Sequence, residues 1–314
     1  MIATVTLNPA IDQTVKVDNF RPNRVNRGQA MQFDPGGKGV NVASFLVDAG
    51  HEVAVTGFLG AENAQIFERL FARKGMDDRF VRIPGRTRTG VKIVDPARQQ
   101  TTDINMPGQA PPEGAVDTLF EVLDALVDEC EWFVLTGSLP PGVPTDLYAT
   151  LIGRLKALGR RTVLDTSREA LRAAIPAGPT IAKPNREELQ QMVGRTLDDL
   201  AAVEGAAWGL RDEHGIEMVV VSLGAEGAIF VDSDASVLAK PPGVKVESTV
   251  GAGDAMVAGL VVAQLADLGL VECARLATAF SVGAITRIGA TLPAAEELQR
   301  CRIETSIRVL REGG

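Results

Sequence analysis

From Trp132 to Val221 the chain alternates between short apolar runs and longer segments with apolar residues at helical spacing, and few folds accept that pattern. Trp132–Leu135, Thr162–Leu164, Thr180–Ala182 and Met218–Val221 read as strands. Helical patterns separate them at Thr145–Leu158, Arg168–Ile175, Arg186–Val193 and Leu197–His214. The N-terminal part starts the same way, with a strand at Ile2–Leu7, a helix at Gly39–Ala49 and a strand at Val53–Phe58. A helix at Asn63–Lys74, stopped by Gly75, and one at Val116–Cys130 follow. The tail from Gly253 to Arg311 reads as mostly three helices. Strands alternating with helices predict an α/β fold: a doubly wound, mostly parallel sheet with helices on both faces.

Two segments break the alternation. Thr14–Phe33 mixes polar and apolar residues around Pro22, and Phe80–Ile83, Thr89–Val94 and Thr101–Asn105 look like three short strands. Insertions at about 14–33 and 80–105 are expected to pair into a small β-sheet lid on one domain spanning 1–314, since no low-complexity linker divides the chain. Val15, Val17 and Phe20 would supply one apolar face of that lid and Val91, Ile93 and Ile104 another. A small sheet with an unburied apolar face is covered by a second copy, so a homodimer through the lids is expected.

In open parallel sheets ligands bind at the carboxyl edge of the strands. Here those edges carry Asn8 to Asp12, Thr136-Gly137-Ser138, Asp165, Lys183-Pro184-Asn185 and Ser222-Leu223-Gly224. The strongest motif is Ser248-Thr249-Val250-Gly251-Ala252-Gly253-Asp254, which opens an apolar helix. Small residues let a ligand approach the backbone, and the free N–H groups of the helix start attract an anion such as phosphate. Asp254 beside that anion would be repelled as a ligand but could take a proton from an attacking hydroxyl. The same residues also suit a capping aspartate after a flexible loop. Pro35-Gly36-Gly37-Lys38-Gly39-Val40-Asn41 matches neither a Walker loop nor a dinucleotide fingerprint. Lys38 sits at a helix start, where anions and not cations are favoured, which points to an anionic ligand or to a plain glycine-rich turn. Arg86-Thr87-Arg88 could clamp a phosphate. Asn185 and Glu188 share a face at a helix start and could hold a hydrated Mg²⁺ or form a capping box. Ser222 to Gly227 could present backbone to a nucleotide phosphate or make a hairpin turn.

Composition narrows the partners. Forty acidic against 32 basic residues give a net charge of −8, which disfavours nucleic acid. Only two histidines occur, His51 and His214, which rules out His-rich metal sites and leaves little room for a Ser-His-Asp triad. Cys130, Cys273 and Cys301 make no C-x-x-C and suit a reducing compartment as buried hydrophobes. No apolar run reaches the roughly 20 residues that crossing a bilayer needs, and Met1–Leu7 lacks a basic n-region, so a cytoplasmic protein without membrane contact is expected.

Taken together, these segments resemble the ribokinase-like sugar kinases of the phosphofructokinase B family. Gly36 to Ala43 is similar to the first family signature and Ser248 to Gly259 to the second, with Thr6 to Asp12 preceding them. Gly85 to Arg88, Thr102 to Asn105, Gly137 to Gly142, Asp165 to Leu171 and Lys240-Pro241-Pro242 are most similar to the family's fructose-1-phosphate kinases. The resemblance implies ATP-dependent phosphorylation of a phosphorylated ketohexose, fructose 1-phosphate first, with tagatose 6-phosphate or fructose 6-phosphate as alternatives. A non-catalytic sugar-phosphate-binding regulator is the alternative of another class. The resemblance implies that Asp254 is the base and that Gly251, Ala252 and Gly253 form the anion hole. Asp12, Gly37, Lys38 and Asn41 would contact the sugar, and Arg88 and Ser138 its phosphate. Lys183, Asn185, Ser222, Gly224 and Gly227 would contact ATP, Asn185 and Glu188 would organise Mg²⁺, and Ser248, Val250, Ala284 and Gly289 would border a K⁺ site.

Overall fold

The computed structural model describes residues 1–98, 100–287 and 289–312. Its elements are β1 (Ile2–Thr6), β2 (Ala10–Lys16), β3 (Ala30–Gly36), α1 (Lys38–Asp48), β4 (Val53–Gly60), α2 (Gln65–Lys74), β5 (Asp77–Asp78), β6 (Val81–Ile83), β7 (Thr89–Asp95) and β8 (Gln100–Ile104). There follow α3 (Ala115–Val127), β9 (Trp132–Thr136), α4 (Leu147–Ala157), β10 (Arg161–Asp165), α5 (Arg168–Ala174), β11 (Ile181–Ala182), α6 (Arg186–Val193), α7 (Leu200–His214), β12 (Met218–Ser222), β13 (Ala228–Val231) and β14 (Ala235–Lys240). The chain closes with α8 (Ala252–Leu265), α9 (Leu270–Ile285), α10 (Ala295–Glu304) and β15 (Ser306–Glu312).

The large sheet has 11 strands, in the order β15-β14-β13-β12-β11-β10-β9-β1-β4-β5, with β6 also beside β4. The strands from β12 to β5 are parallel. Apart from the edge strand β5, whose two residues are Asp77 and Asp78, each is buried at nearly every position because both faces are covered. Along β9, Trp132 and Val134 enter one core with α1, α8 and α9, while Phe133 and Leu135 enter the other with α3, α4 and α7. That is the two-residue alternation of a strand sorted between two helical layers.

Three details differ from the sequence expectation. The edge β13-β14-β15 is antiparallel, and the tail ends in a strand after its three helices. Ser306–Glu312 mixes apolar Ile307, Val309 and Leu310 with charged Arg308, Arg311 and Glu312, which suits an edge strand as well as a helix end. Val81–Ile83 joins the large sheet beside β4. The preceding Phe80 is buried and stacks on Phe71 at 5.6 Å, so burial takes this segment out of the lid.

The small sheet has the order β3-β2-β7-β8. Residues 17–29 link β2 to β3 without regular structure. Register places Val15, Met31, Phe33, Val91, Ile93 and Ile104 on one face and Asp12, Asp34, Lys92 and Asp103 on the other. The face is thus chosen by residue parity, and Val17 is already buried within the chain.

The chain runs from β1 to β4 on one side and later reaches β9 on the other. Strand order reverses at β1, and a crevice opens outside the carboxyl ends of β1 and β9.

Candidate active site

Two helices aim uncapped N-termini at this crevice. α1 starts after Gly37 and α8 after Gly251, and neither has a side-chain cap. Glycine is required at two of these positions. A Cβ on Gly39 would lie 2.2 Å from Thr6 Oγ1, so α1 can rest on β1 only without a side chain. Gly251 adopts φ 84°, the left-handed region, where a side chain is strained.

Asp254 lies in the first turn of α8 and is 6% exposed. Asn41, one turn into α1, donates its Nδ2 to Asp254 Oδ2 at 2.8 Å. The carboxylate is therefore aimed by the neighbouring helix. Burial pushes the Asp254 pKa above the usual carboxylate value and Asp165 adds to this, while Lys38, the Asn41 amide and Lys183 pull the other way.

Beside it lies an ion cluster built on a buried carboxylate. Asp165, at the end of β10, meets Lys38 Nζ at 3.1 Å and Lys183 Nζ at 3.4 Å, and its side chain is 2% exposed. Burial opposes its charge, but Lys183 and Lys38 outweigh that and hold the carboxyl below its usual range. The strand ends around it are laced together. Thr136 Oγ1 donates to Asp165 O at 3.0 Å, and Thr166 Oγ1 to Gly137 O at 2.8 Å. The single tyrosine, Tyr148, is buried and donates to the carbonyls of Thr136 and Gly137. Lys183 Nζ also lies 3.5 Å from where a Cβ on Gly253 would stand, which puts the cation at the start of α8. A fixed carboxylate, two free helix N-termini and two lysines make a site that receives anions and takes one proton.

The chain matches the family described as pfkB family carbohydrate kinase over residues 5–297. It belongs to that family. It is 50% identical to the 1-phosphofructokinase of Rhodobacter capsulatus over 98% of both chains. It is 48% identical to the Xanthomonas campestris 1-phosphofructokinase over 89% of both. Phosphofructokinase-2 from Escherichia coli in complex with potassium superposes with a TM-score of 0.88 and 32% identity, over 96% of this chain and 98% of that one. The same protein is also described in a tetrameric inhibited form.

In this pfkB chain the expected residues fall into separate groups. Lys38, Asn41, Lys183 and Asp254 come together as described. Ser138 Oγ accepts from Asn8 Nδ2 at 3.1 Å, next to Gly137. Asp12 stands on the polar lid face and accepts from Lys92 Nζ at 2.7 Å. Arg88 donates to three backbone carbonyls, and Arg86 points out to solvent. Asn185 and Glu188 form a reciprocal capping box, each accepting the other's backbone N–H at 2.8 Å. Burial pushes the Glu188 carboxyl up. Asn185 also bridges Ser222, and Leu223 N donates to Gly227 O at 2.8 Å around the turn that holds Gly224. The Ser248 N–H donates to Ile285 O at 3.2 Å, which sets Ser248 against the end of α9, where Ala284 lies; Ser248 Oγ accepts from the Val250 N–H at 3.2 Å, and Gly289 follows α9.

Two contributors were not singled out as site residues from sequence. Asp165 looked like one strand-end acid among several, and only its two lysine partners, from residues 127 and 18 positions away, give it a role. Asn8 reads from sequence only as the first residue of the strand-edge segment Asn8 to Asp12, with no role of its own. A Cβ on Gly108 would lie 2.2 Å from Asn8 Oδ1, a contact that no local spacing reports.

Proposed function

We propose that this chain transfers the γ-phosphoryl group of ATP to fructose 1-phosphate, giving fructose 1,6-bisphosphate and ADP. The observation that carries this reading is Asp254, buried at the start of α8 and held by Asn41 at 2.8 Å. The curated relatives at 50% and 48% identity favour fructose 1-phosphate among the ketohexose phosphates.

The sugar's free hydroxyl gives its proton to Asp254 as its oxygen bonds to the γ-phosphorus and the bridge to ADP breaks. Burial makes Asp254 a stronger base than an exposed aspartate. The amides of Gly251, Ala252 and Gly253 face the charge that develops on the transferring group. Lys38 and Lys183 neutralise more of it, and Asp165 keeps both in place. Asp12, Gly37, Lys38 and Asn41 hold the sugar, while Arg88 and Ser138 hold its phosphate. Ser222, Gly224 and Gly227 support the nucleotide.

A divalent cation fits the oxygens near α6. The capping box uses one oxygen of Glu188, and Asp165 Oδ2 is buried without a partner. Mg²⁺ there, with Asn185 and Glu188, would neutralise phosphate charge, held largely through water and the phosphates. Among the described residues no three acidic, His or Cys groups cluster to bind a metal directly. Backbone oxygens around Ser248, Val250, Ala284 and Gly289 have the chemistry to take K⁺.

Residues 1–314 act as one domain with a lid. The apolar lid face leaves Met31 60%, Phe33 47% and Ile104 48% exposed, and a second copy of the chain covers it. No helix among the described residues is long and apolar enough to cross a membrane.

The test is ADP release with fructose 1-phosphate, fructose 6-phosphate, tagatose 6-phosphate and fructose. The highest kcat/KM with fructose 1-phosphate supports the reading, and preference for another sugar phosphate moves the assignment within the family. Binding without any ADP release would make the chain a regulator.

A further inference from the structure

The chain passes between the large sheet and the lid four times: at residues 7–9, at Gly37, at 84–88 and after Ile104. Arg88 belongs to the third crossing and reaches two others. Its Nε donates to Pro9 O at 3.3 Å, Nη2 to Asn8 O at 3.1 Å and Nη1 to Met106 O at 2.9 Å. The remaining crossing follows β3, which is paired with β2 through Ala10 and Gly36.

The preceding residue anchors this tie to the large sheet. Thr87 is 6% exposed. Its N–H donates to Asn63 Oδ1 at 2.8 Å, its carbonyl accepts from Asn63 Nδ2 at 2.9 Å, and its Oγ1 accepts from Gly60 N at 3.0 Å. Gly60 ends β4 and Asn63 begins the approach to α2. Thr87 is thus fixed to the large sheet from two sides, and Arg88 carries that fixity into the lid.

We propose that Asn63 and Thr87 are positioning residues that fix Arg88 as the pin on which the lid is set. Three of the guanidinium's donors go to carbonyls, and a guanidinium has five. The two left over serve the phosphate of the sugar, so the group that binds substrate also sets the lid. This rests on the kinase reading above. A lid held in register by Arg88 keeps water out of the site and limits loss of ATP to water. Asn63 touches no candidate substrate contact except through Thr87 and Arg88.

The test compares wild type, Asn63→Ala, Thr87→Val and Arg88→Lys, measuring ATP consumed against sugar bisphosphate formed, and ATP hydrolysis without sugar. Asn63→Ala and Thr87→Val should leave the sugar KM within about three-fold, since the phosphate contact remains, yet raise the hydrolysed share of ATP several-fold. Arg88→Lys keeps the charge but loses the planar fork, so it should raise both that share and the sugar KM, the latter by roughly ten-fold. Thr87→Val keeps the residue's shape and serves if Asn63→Ala fails to fold. One ATP per bisphosphate in every folded variant overturns the proposal. Uncoupling with an unchanged sugar KM in Arg88→Lys would keep the pin and remove the phosphate contact. No sugar-dependent ADP release from wild type would instead overturn the kinase reading.

Discussion

The floor of the cleft and the lid above it treat their costly groups in opposite ways. At the floor, Asp165 is buried between Lys38 and Lys183, and Asp254 is buried against Asn41. Such groups are expensive to desolvate, and each has its partner inside the chain. In the lid, Met31, Phe33, Ile104 and Met106 are each about half exposed, at 47 to 60%. Within the described residues nothing covers them. The floor is therefore organised before substrate arrives, which is what electrostatic catalysis needs. The lid is tied to the floor through Arg88 and three backbone carbonyls, while its apolar face stays open.

Breaking the floor should have the largest effects. Asp254→Asn keeps the volume and the Asn41 contact but cannot accept the proton, so kcat should fall by roughly 10²–10⁴ with an unchanged unfolding midpoint. Near-normal turnover would remove Asp254 from the mechanism. Asp165→Asn leaves two lysines facing each other without their counter-charge. Denaturant unfolding should show a loss of about 3–5 kcal/mol. A loss under 1 kcal/mol would mean that the cluster is relaxed by solvent and the floor is not organised as described.

Lys38→Ala removes a cation with a half-exposed side chain. The sugar-phosphate KM should rise by about ten-fold or more, the equivalent of roughly 1.5–3 kcal/mol for a charged hydrogen bond. If the KM for ATP rises instead, Lys38 serves the nucleotide. The same variant tests the pH dependence. Burial raises the Asp254 pKa and Lys38 opposes that rise, so the base is lost as pH falls through a value above the usual aspartate range. Without Lys38 the acid limb of kcat/KM should move to higher pH, and an unmoved limb would show that the two side chains are not coupled.

The lid should respond least in stability and most in assembly. Phe33→Ser with Ile104→Ser should change the unfolding free energy by no more than about 0.5 kcal/mol each, as exposed sites do. Sedimentation should nonetheless shift from a dimer toward the mass of one chain. A wild type that sediments as a monomer would mean that the apolar face protects itself.

How much of this was legible depends on the range of the interactions. The helix over Arg186–Val193 was readable to the residue, because Asn185 and Glu188 state its start and Gly194 its end within one turn. The register of the lid was not, since Val81–Ile83 is as strand-like as Thr89–Asp95. Only the burial of Phe80 against Phe71 assigns it to the large sheet. The terminal strand was missed for a related reason: an edge strand gets its identity from β14, and nothing within Ser306–Glu312 names that neighbour.

Local order along the chain is enough to state the α/β alternation, the two glycine-rich helix starts and Asp254 as the acid beside the second. These are properties of neighbours along the chain: periodicity, conformational freedom and charge at a helix end. It takes the folded chain to show that Asn41 aims Asp254 across 213 positions, that Asp165 holds Lys38 and Lys183, and that Arg88 joins three chain crossings. Hydrogen bonds and ion pairs act over about 3 Å whatever the distance along the chain, so their partners exist only once the sheet has brought its strand ends together.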